Sequence, residues 1–142
     1  MSLEENKELV RRFMYNAWNR KDICAVDELL APSFCRHVAT DPYMLNRAAQ
    51  RARIFSVHHA FTALQLTIED LIGEEDRVVF RGLLRGTHTG RFLTVEPTGR
   101  QIMMMVLGIM RVEDGLIAEQ WGGVNELDLL QLIDGRPTDG TI

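Results

Sequence analysis

Up to about Phe61 the apolar residues of this 142-residue chain recur at helical spacing, and from Leu64 onward they alternate. That change of period constrains the fold most, because a helix face repeats every 3.6 residues and a strand face every two. Leu9, Val10, Phe13, Met14, Ala17 and Trp18 form the first helical face. It opens on Ser2-Leu3-Glu4-Glu5, a capping box in which the Ser2 hydroxyl accepts from a first-turn N–H while Glu5 reaches back. Asn19 to Asp22 break this helix. A shorter one follows, with Val26, Leu29 and Leu30 inward, and Pro32 is expected to stop it. Phe34 to Val38 read as a short extended piece, Asp41-Pro42 as a turn, and residues from about Tyr43 to Phe61 as a third helix.

The second half reads as four strands. Leu64, Leu66 and Ile68 alternate with polar neighbours, then Glu74-Glu75-Asp76 turns the chain into a strand over Arg77 to Thr87. His88 to Gly99 form a loop, Gln101 to Val112 a methionine-rich strand, and Leu116 to Val124 the last strand. Glu113-Asp114-Gly115 suits a three-residue hairpin loop, which pairs Val112 with Leu116 and Gly108 with Gln120; a two-residue loop would shift the register by one and pair Gly108 with Trp121 instead. Period two then gives one sheet face Met104, Val106, Gly108, Met110, Ala118, Gln120 and Gly122. The other face takes Met105, Leu107, Ile109, Arg111, Ile117, Glu119 and Trp121. A closing helix over Glu126 to Ile133 carries Leu127, Leu130 and Leu132, and residues 1–3 and 135–142 are expected to be loose ends of a single domain. Helices first and an antiparallel meander second make an α+β architecture.

Charge and cysteine content narrow the partners. A net charge of −4 offers nucleic acid no basic footprint. The acidic start lacks the basic and apolar regions of a signal peptide, and no apolar run spans a bilayer, so a cytoplasmic protein without membrane contact is expected. Cys24 and Cys35 have no metal spacing and are expected to be reduced and mostly buried.

Three phrases in order, "EENKELVRRF…AWNRKD…VDELLAPSF", "TIEDLIGEEDRVVFRGLLRGTHTGRFL…PTGR" and "MRVEDGLIAEQWGGVN", resemble the SnoaL-like polyketide cyclase family of the nuclear transport factor 2-like superfamily. The resemblance runs from about Glu4 to about Leu132. It implies a cone: a curved antiparallel sheet wrapped around the N-terminal helices, with a deep pocket. It also implies a cofactor-free enzyme and a homo-oligomer, dimer or tetramer, formed partly through the sheet. In the cyclases that give the family its name, a His and an Asp in the pocket move the protons. By the resemblance this chain has Gly108 and Gly122 at those two places, and glycine cannot titrate.

Other residues must then carry any chemistry. The candidate catalytic groups are His37, Tyr15 on the first helix, and His58 on the third; His37 is the first choice for a general base. His58 and His59 are adjacent on a helix and point about 100° apart, so only His58 shares the side of Ile54 and Phe61, and a joint metal site is discounted. Trp18, Met104, Gly108, Met110, Gln120, Gly122 and Asn125 are the candidate substrate contacts. Gln120 orients without titrating, while Met104 and Met110 beside Gly108 suggest a roomy apolar wall, a theme that Gly82 repeats. His88 reads as a loop holder and Trp121 as an interface or core residue on the opposite face. The expected function is a cyclase, isomerase or hydroxylase acting on a bulky apolar small molecule. The alternatives are a binding protein with the same cone and a hydrolase using an inward carboxylate, of which the sheet offers few, with Glu69 the candidate.

Overall fold

The computed structural model describes residues 2–38 and 44–134. Its first helix, α1 (Leu3–Met14), starts as its sequence dictates. Ser2 accepts from the Glu5 N–H at 3.1 Å, Glu5 accepts from the Ser2 N–H at 3.3 Å, and the apolar face of Leu9, Val10, Phe13 and Met14 is buried. The helix then widens into a π-helical turn over Tyr15–Asn19. The Asn19 amide donates to Leu66 O and accepts from Leu66 N–H, so the end of the helical segment is tied to the sheet. After α2 (Cys24–Leu29) the chain enters strand β1 (Leu30–His37) with no intervening loop. Pro32 therefore lies inside a strand instead of ending a helix. It falls between Leu30 and Cys35, where the pairing of β1 is interrupted and a missing N–H costs nothing.

Met44–Asn46 form a short edge strand, β2, where a helix was expected, and α3 spans Arg47–Ala60 with Asn46 as its cap. The Asp41-Pro42 turn and the chain after Asp134 lie outside the described residues. The remaining strands are β3 (Phe61–Glu74), β4 (Arg77–His88), β5 (Gln101–Glu113) and β6 (Leu116–Gly122), followed by α4 (Glu126–Ile133). They form one six-stranded sheet in the order β2-β1-β6-β5-β4-β3, whose edges are not paired to each other. The sheet is mixed, not wholly antiparallel, because β1 runs parallel to β6. Bulges near Ala63 and Glu69 in β3 and at Ala118 in β6 break the ladder and add twist.

The β5–β6 turn has two residues, Asp114 and Gly115, both at positive φ, as a type I′ hairpin requires. The Ala118 bulge adds a further shift, so Gly108 pairs with Gly122 instead of Gln120. The two displacements sum to an even number, so Gly108, Met110, Gln120 and Gly122 keep their common face. Ile117 does not follow the outward pattern expected of it; the bulge lets it bury beside Ala118. The inner face packs Val78, Phe80, Leu84, Val106 and Met110 onto Phe13, Met14, Ile54 and Val57 in one core. In α4 the buried residues are Leu129 and Ile133, and Leu127 points to solvent. Cys24 and Cys35 are both free, but Cys24 is exposed and Cys35 only half-buried, where mostly buried thiols were expected. No helix among the described residues is long and apolar enough to cross a membrane.

Candidate functional site

One register row crosses the inner face of the sheet through Val78, Met110, Gln120 and Arg36, contributed by β4, β5, β6 and β1. Arg36 is 3% exposed. Its place is set by alternation in β1, where Phe34 and Arg36 face inward while Cys35 and His37 do not. The guanidinium donates to Gln50 Oε1 of α3 at 3.2 Å and to the Val124 carbonyl at 2.7 Å. Its Nε has no partner among the described residues. Burial, with Arg53 nearby, lowers its pKa to about 10, so it remains a cation at neutral pH. Glu126, the nearby carboxylate, is paired with Arg53 instead.

Gln120 is equally buried, and its Nε2 donates to the Gly122 carbonyl at 2.9 Å. Its Oε1 accepts nothing among the described residues. The amide cannot usefully flip, because that would set Oε1 against a carbonyl oxygen. Gly122 and Gly123 both take positive φ, turning the chain from β6 toward α4. The Gln120 amide lies 2.5 Å from where a Gly123 Cβ would stand, so the second glycine makes room for that amide.

The glycines do not widen the interior. A Cβ on Gly108 would lie 2.5 Å from Cζ of Phe80 and 2.6 Å from Trp121 O, and one on Gly122 would lie 2.6 Å from Leu107 O. Their space is already filled by the Phe80 ring and by close backbone. Gly82 is the same case, since its Cβ would meet Thr67 O at 2.6 Å. Met104 and Met110 are buried in the same face. Asn125 caps α4 by accepting from the Leu127 N–H at 3.0 Å, which commits its side-chain oxygen.

His58 is the buried imidazole of α3 that faces inward. Its Nε2 lies 2.8 Å from Ala17 O and its ring stacks on Trp18 at 5.8 Å. A carbonyl only accepts, so Nε2 carries the proton and the neutral ring presents a lone pair at Nδ1. Burial lowers the pKa of His58, with Lys21 adding to the shift, while the bond to Ala17 opposes it. His58 and Gln50 sit two turns apart on the inner side of α3, about 12 Å along the axis, with Ile54 between them.

His37 lies on the outer face. Its Nε2 contacts Glu119 Oε2 at 2.6 Å, and the ring stacks on Trp121 at 5.2 Å, with Arg77 over that indole. Arg111 holds the other Glu119 oxygen at 2.9 Å. Burial would raise the Glu119 pKa, but the bonds from His37 and Arg111 outweigh it and the net shift is downward. Cys35 Sγ is 4.0 Å from the same Nε2. A relay from thiol to carboxylate needs the two different ring nitrogens, so this trio is not a nucleophilic triad. Burial and Glu119 also raise the Cys35 pKa, keeping the thiol protonated.

Tyr15 is half-exposed beneath Arg20 and lines a groove between α1 and β3, outside the sheet's inner face. Glu69 is exposed and pairs with Arg81. His88 is buried against Phe61, its Nδ1 accepting from the Thr98 N–H at 3.1 Å, which holds the loop before β5. The structure therefore gathers Trp18 with His58, and Met110 with Gln120, while Tyr15 and His37 stand apart from both groups. Sequence reasoning overlooked Arg36 and Gln50. The signal for Arg36 was its spacing of two from Phe34 in an extended segment, which puts it on Phe34's face.

A family model described as SnoaL-like polyketide cyclase matches residues 8–133. Among solved structures, the chain is similar to AclR from Streptomyces galilaeus, described as a hydroxylase candidate. The identity is 28% and the TM-score 0.84, covering 96% of this chain and 100% of that one. It is similar to wild-type IdmH from Streptomyces antibioticus, described as a polyketide cyclase candidate, at 28% identity and TM-score 0.75, covering 91% and 98%. A SnoaL-like protein from Jannaschia shares the fold at 22% identity and TM-score 0.81, covering 94% of each chain. No curated protein matches the sequence.

Proposed function

The chain belongs to the SnoaL-like polyketide cyclase family, and from that premise we propose that it is a cofactor-independent enzyme acting on a bulky, mainly apolar small molecule held inside the cone. The observation that carries this reading is His58. It is an inward imidazole, kept neutral by burial, with its proton committed to Ala17 O and its lone pair at Nδ1. Such a group takes a proton from a carbon activated by a neighbouring carbonyl and returns it to the oxygen that becomes negative. Trp18 fixes the ring plane, and Gln120 orients the substrate. The polar groups at the two ends of α3, with an apolar stretch between, suit a polycyclic or polyketide-like molecule. The reaction class is cyclisation, isomerisation or hydroxylation.

A second reading has its own support. The inner positions of β5 and β6 carry Met104, Gly108, Met110, Gln120 and Gly122, none of which titrates, as befits a binding protein. One experiment separates them. Hydroxylated anthraquinones and linear polyketide mimics are screened by thermal shift, and those that bind are followed for spectral turnover. The enzyme reading expects turnover that falls about 10²–10⁴-fold in His58→Gln while binding persists. Binding with no turnover in the native chain would leave the binding protein.

A second copy of this chain is the proposed partner. The outer face carries an apolar row of Ile72, Val79, Ile109 and Trp121 across four strands, beside the exposed Met103, Met105 and Leu107. Exposed apolar surface of this kind marks an interface.

A further inference from the structure

We propose that Arg36 and Gln120 together form a recognition site for an anionic oxygen flanked by a hydroxyl group, as in a 2-hydroxyaryl carboxylate or the enolate of a β-hydroxy ketone. The proposal deepens the reading of the cone as a small-molecule site, and rests on it for the ligand's size alone. Arg36 and Gln120 are register partners on the parallel strands β1 and β6, and both face inward. Each holds one atom without a partner among the described residues, and the two are opposite in kind: the Arg36 Nε–H donates, and Gln120 Oε1 accepts. Buried polar atoms are normally paired, and an unpaired one costs about 1–3 kcal/mol. Two orphans of complementary polarity on neighbouring positions define what completes them: an acceptor facing Arg36 and a donor facing Gln120.

Charge selects an anion for the acceptor. A buried guanidinium normally meets a carboxylate. The partners of Arg36 are neutral, Gln50 Oε1 and Val124 O, and the neighbouring Glu126 is taken by Arg53. Arg53 and Glu126 act on Arg36 in opposite senses, and among the described residues no carboxylate bonds to its guanidinium. Its geometry is fixed by two hydrogen bonds that leave the Nε edge free, so little side-chain entropy remains to be lost on binding. Arg36 also borders a groove of about 390 Å³ at the turn of the glycine pair, whose other walls are His37, Met105, Leu107 and Trp121 of the outer face and Asp128 of α4. Gly123 serves recognition by leaving room for the Gln120 amide.

Salicylate is the probe, since it carries a carboxylate beside a hydroxyl and is small. Its binding to the whole chain is followed by the Arg36 Nε–H resonance, assigned in the native protein, and by thermal shift. Salicylate is expected to move that resonance saturably and to raise Tm. Methyl salicylate, which lacks the charge, and 2-methoxybenzoate, which lacks the hydroxyl donor, should each bind at least tenfold more weakly. Gln120→Leu should weaken salicylate severalfold and leave 2-methoxybenzoate unchanged. The proposal is overturned if saturating salicylate leaves the Arg36 resonance in place, as a water bridging the two orphans would produce. Equal binding of the ester would overturn it as well. If a neutral anthraquinone still raises Tm after such a result, the recognition site falls and the small-molecule reading of the cone stands.

Discussion

The Phe80 ring occupies the place that a side chain on Gly108 would take: a Cβ there would sit 2.5 Å from Cζ of that ring. Phe80 and Gly108 are register partners on β4 and β5, so this is a cross-strand fit of a large residue against an absent one. It makes the glycine a packing requirement. Gly108→Ala is expected to destabilise the fold by about 1–3 kcal/mol through overpacking. Gly108→His, with a larger side chain, should cost more. Denaturant unfolding at constant m-value checks both. A neutral Gly108→Ala would mean that the Phe80 ring has room to move.

Gly122 and Gly99 separate two reasons for glycine. Both have φ near +70°, but a Cβ on Gly122 would meet Leu107 O at 2.6 Å while one on Gly99 meets nothing within 4 Å. Gly99→Ala therefore costs the left-handed backbone alone, about 1–2 kcal/mol. Gly122→Ala is expected to cost clearly more, because β5 and β6 must also part. Equal losses of stability in the two variants would remove the close approach from the account.

How much of this was legible in the sequence follows from how local each feature is. The Ser2 cap, the helix-to-strand change of period and the inward face of β5 depend on neighbours a few residues apart. The pairing of β1 with β6 joins residues about 85 positions apart, as in His37 with Trp121, and nothing local announces it. It is this pairing that sets Arg36 beside Gln120, while alternation from Phe34 turns His37 outward and Arg36 inward, so the most favoured base left the interior and an unconsidered cation entered it. The Ala118 bulge has no signal in "LIAEQW", and with the shorter turn it moved the partner of Gly108 from Gln120 to Gly122. The faces survived the error because two shifts of one residue restore parity. The fit of Phe80 to Gly108 was illegible for a different reason: deletion of a side chain reads as empty volume until the facing residue is known.

Stability should fall as the pH drops below about 6.5. His58 and His88 both have pKa values lowered from 6.5 in the folded chain, in each case chiefly by burial. The unfolded chain then binds more protons in the window below 6.5, so unfolding becomes easier as the pH falls through it and the full stability is present above it. Glu119 works at lower pH. Its pKa is lowered from 4.5, so its contribution is lost only as the pH falls below that value. Thermal midpoints from pH 7.5 to 5 are expected to decline, and His58→Gln should flatten part of the slope. An unchanged slope in that variant would show that His58 is as easily protonated folded as unfolded.

The outer face offers the clearest test of assembly. Met103, Met105 and Leu107 project from β5 at 59%, 59% and 54% exposure, next to the apolar row from Ile72 to Trp121. Apolar patches of this kind are costly in water unless covered. A second copy that covers them makes Tm rise with protein concentration. Leu107→Arg places a charge in the middle of that surface while its own fold needs nothing from the side chain. The variant is expected to elute as a monomer, with a Tm that no longer depends on concentration and an unchanged circular dichroism spectrum. His37, whose ring lies at the margin of this face against Trp121, should report the change through its imidazole resonances. If the native chain is already monomeric at high concentration, or if Leu107→Arg keeps the native elution volume, the sheet's outer face is not where copies of this chain meet.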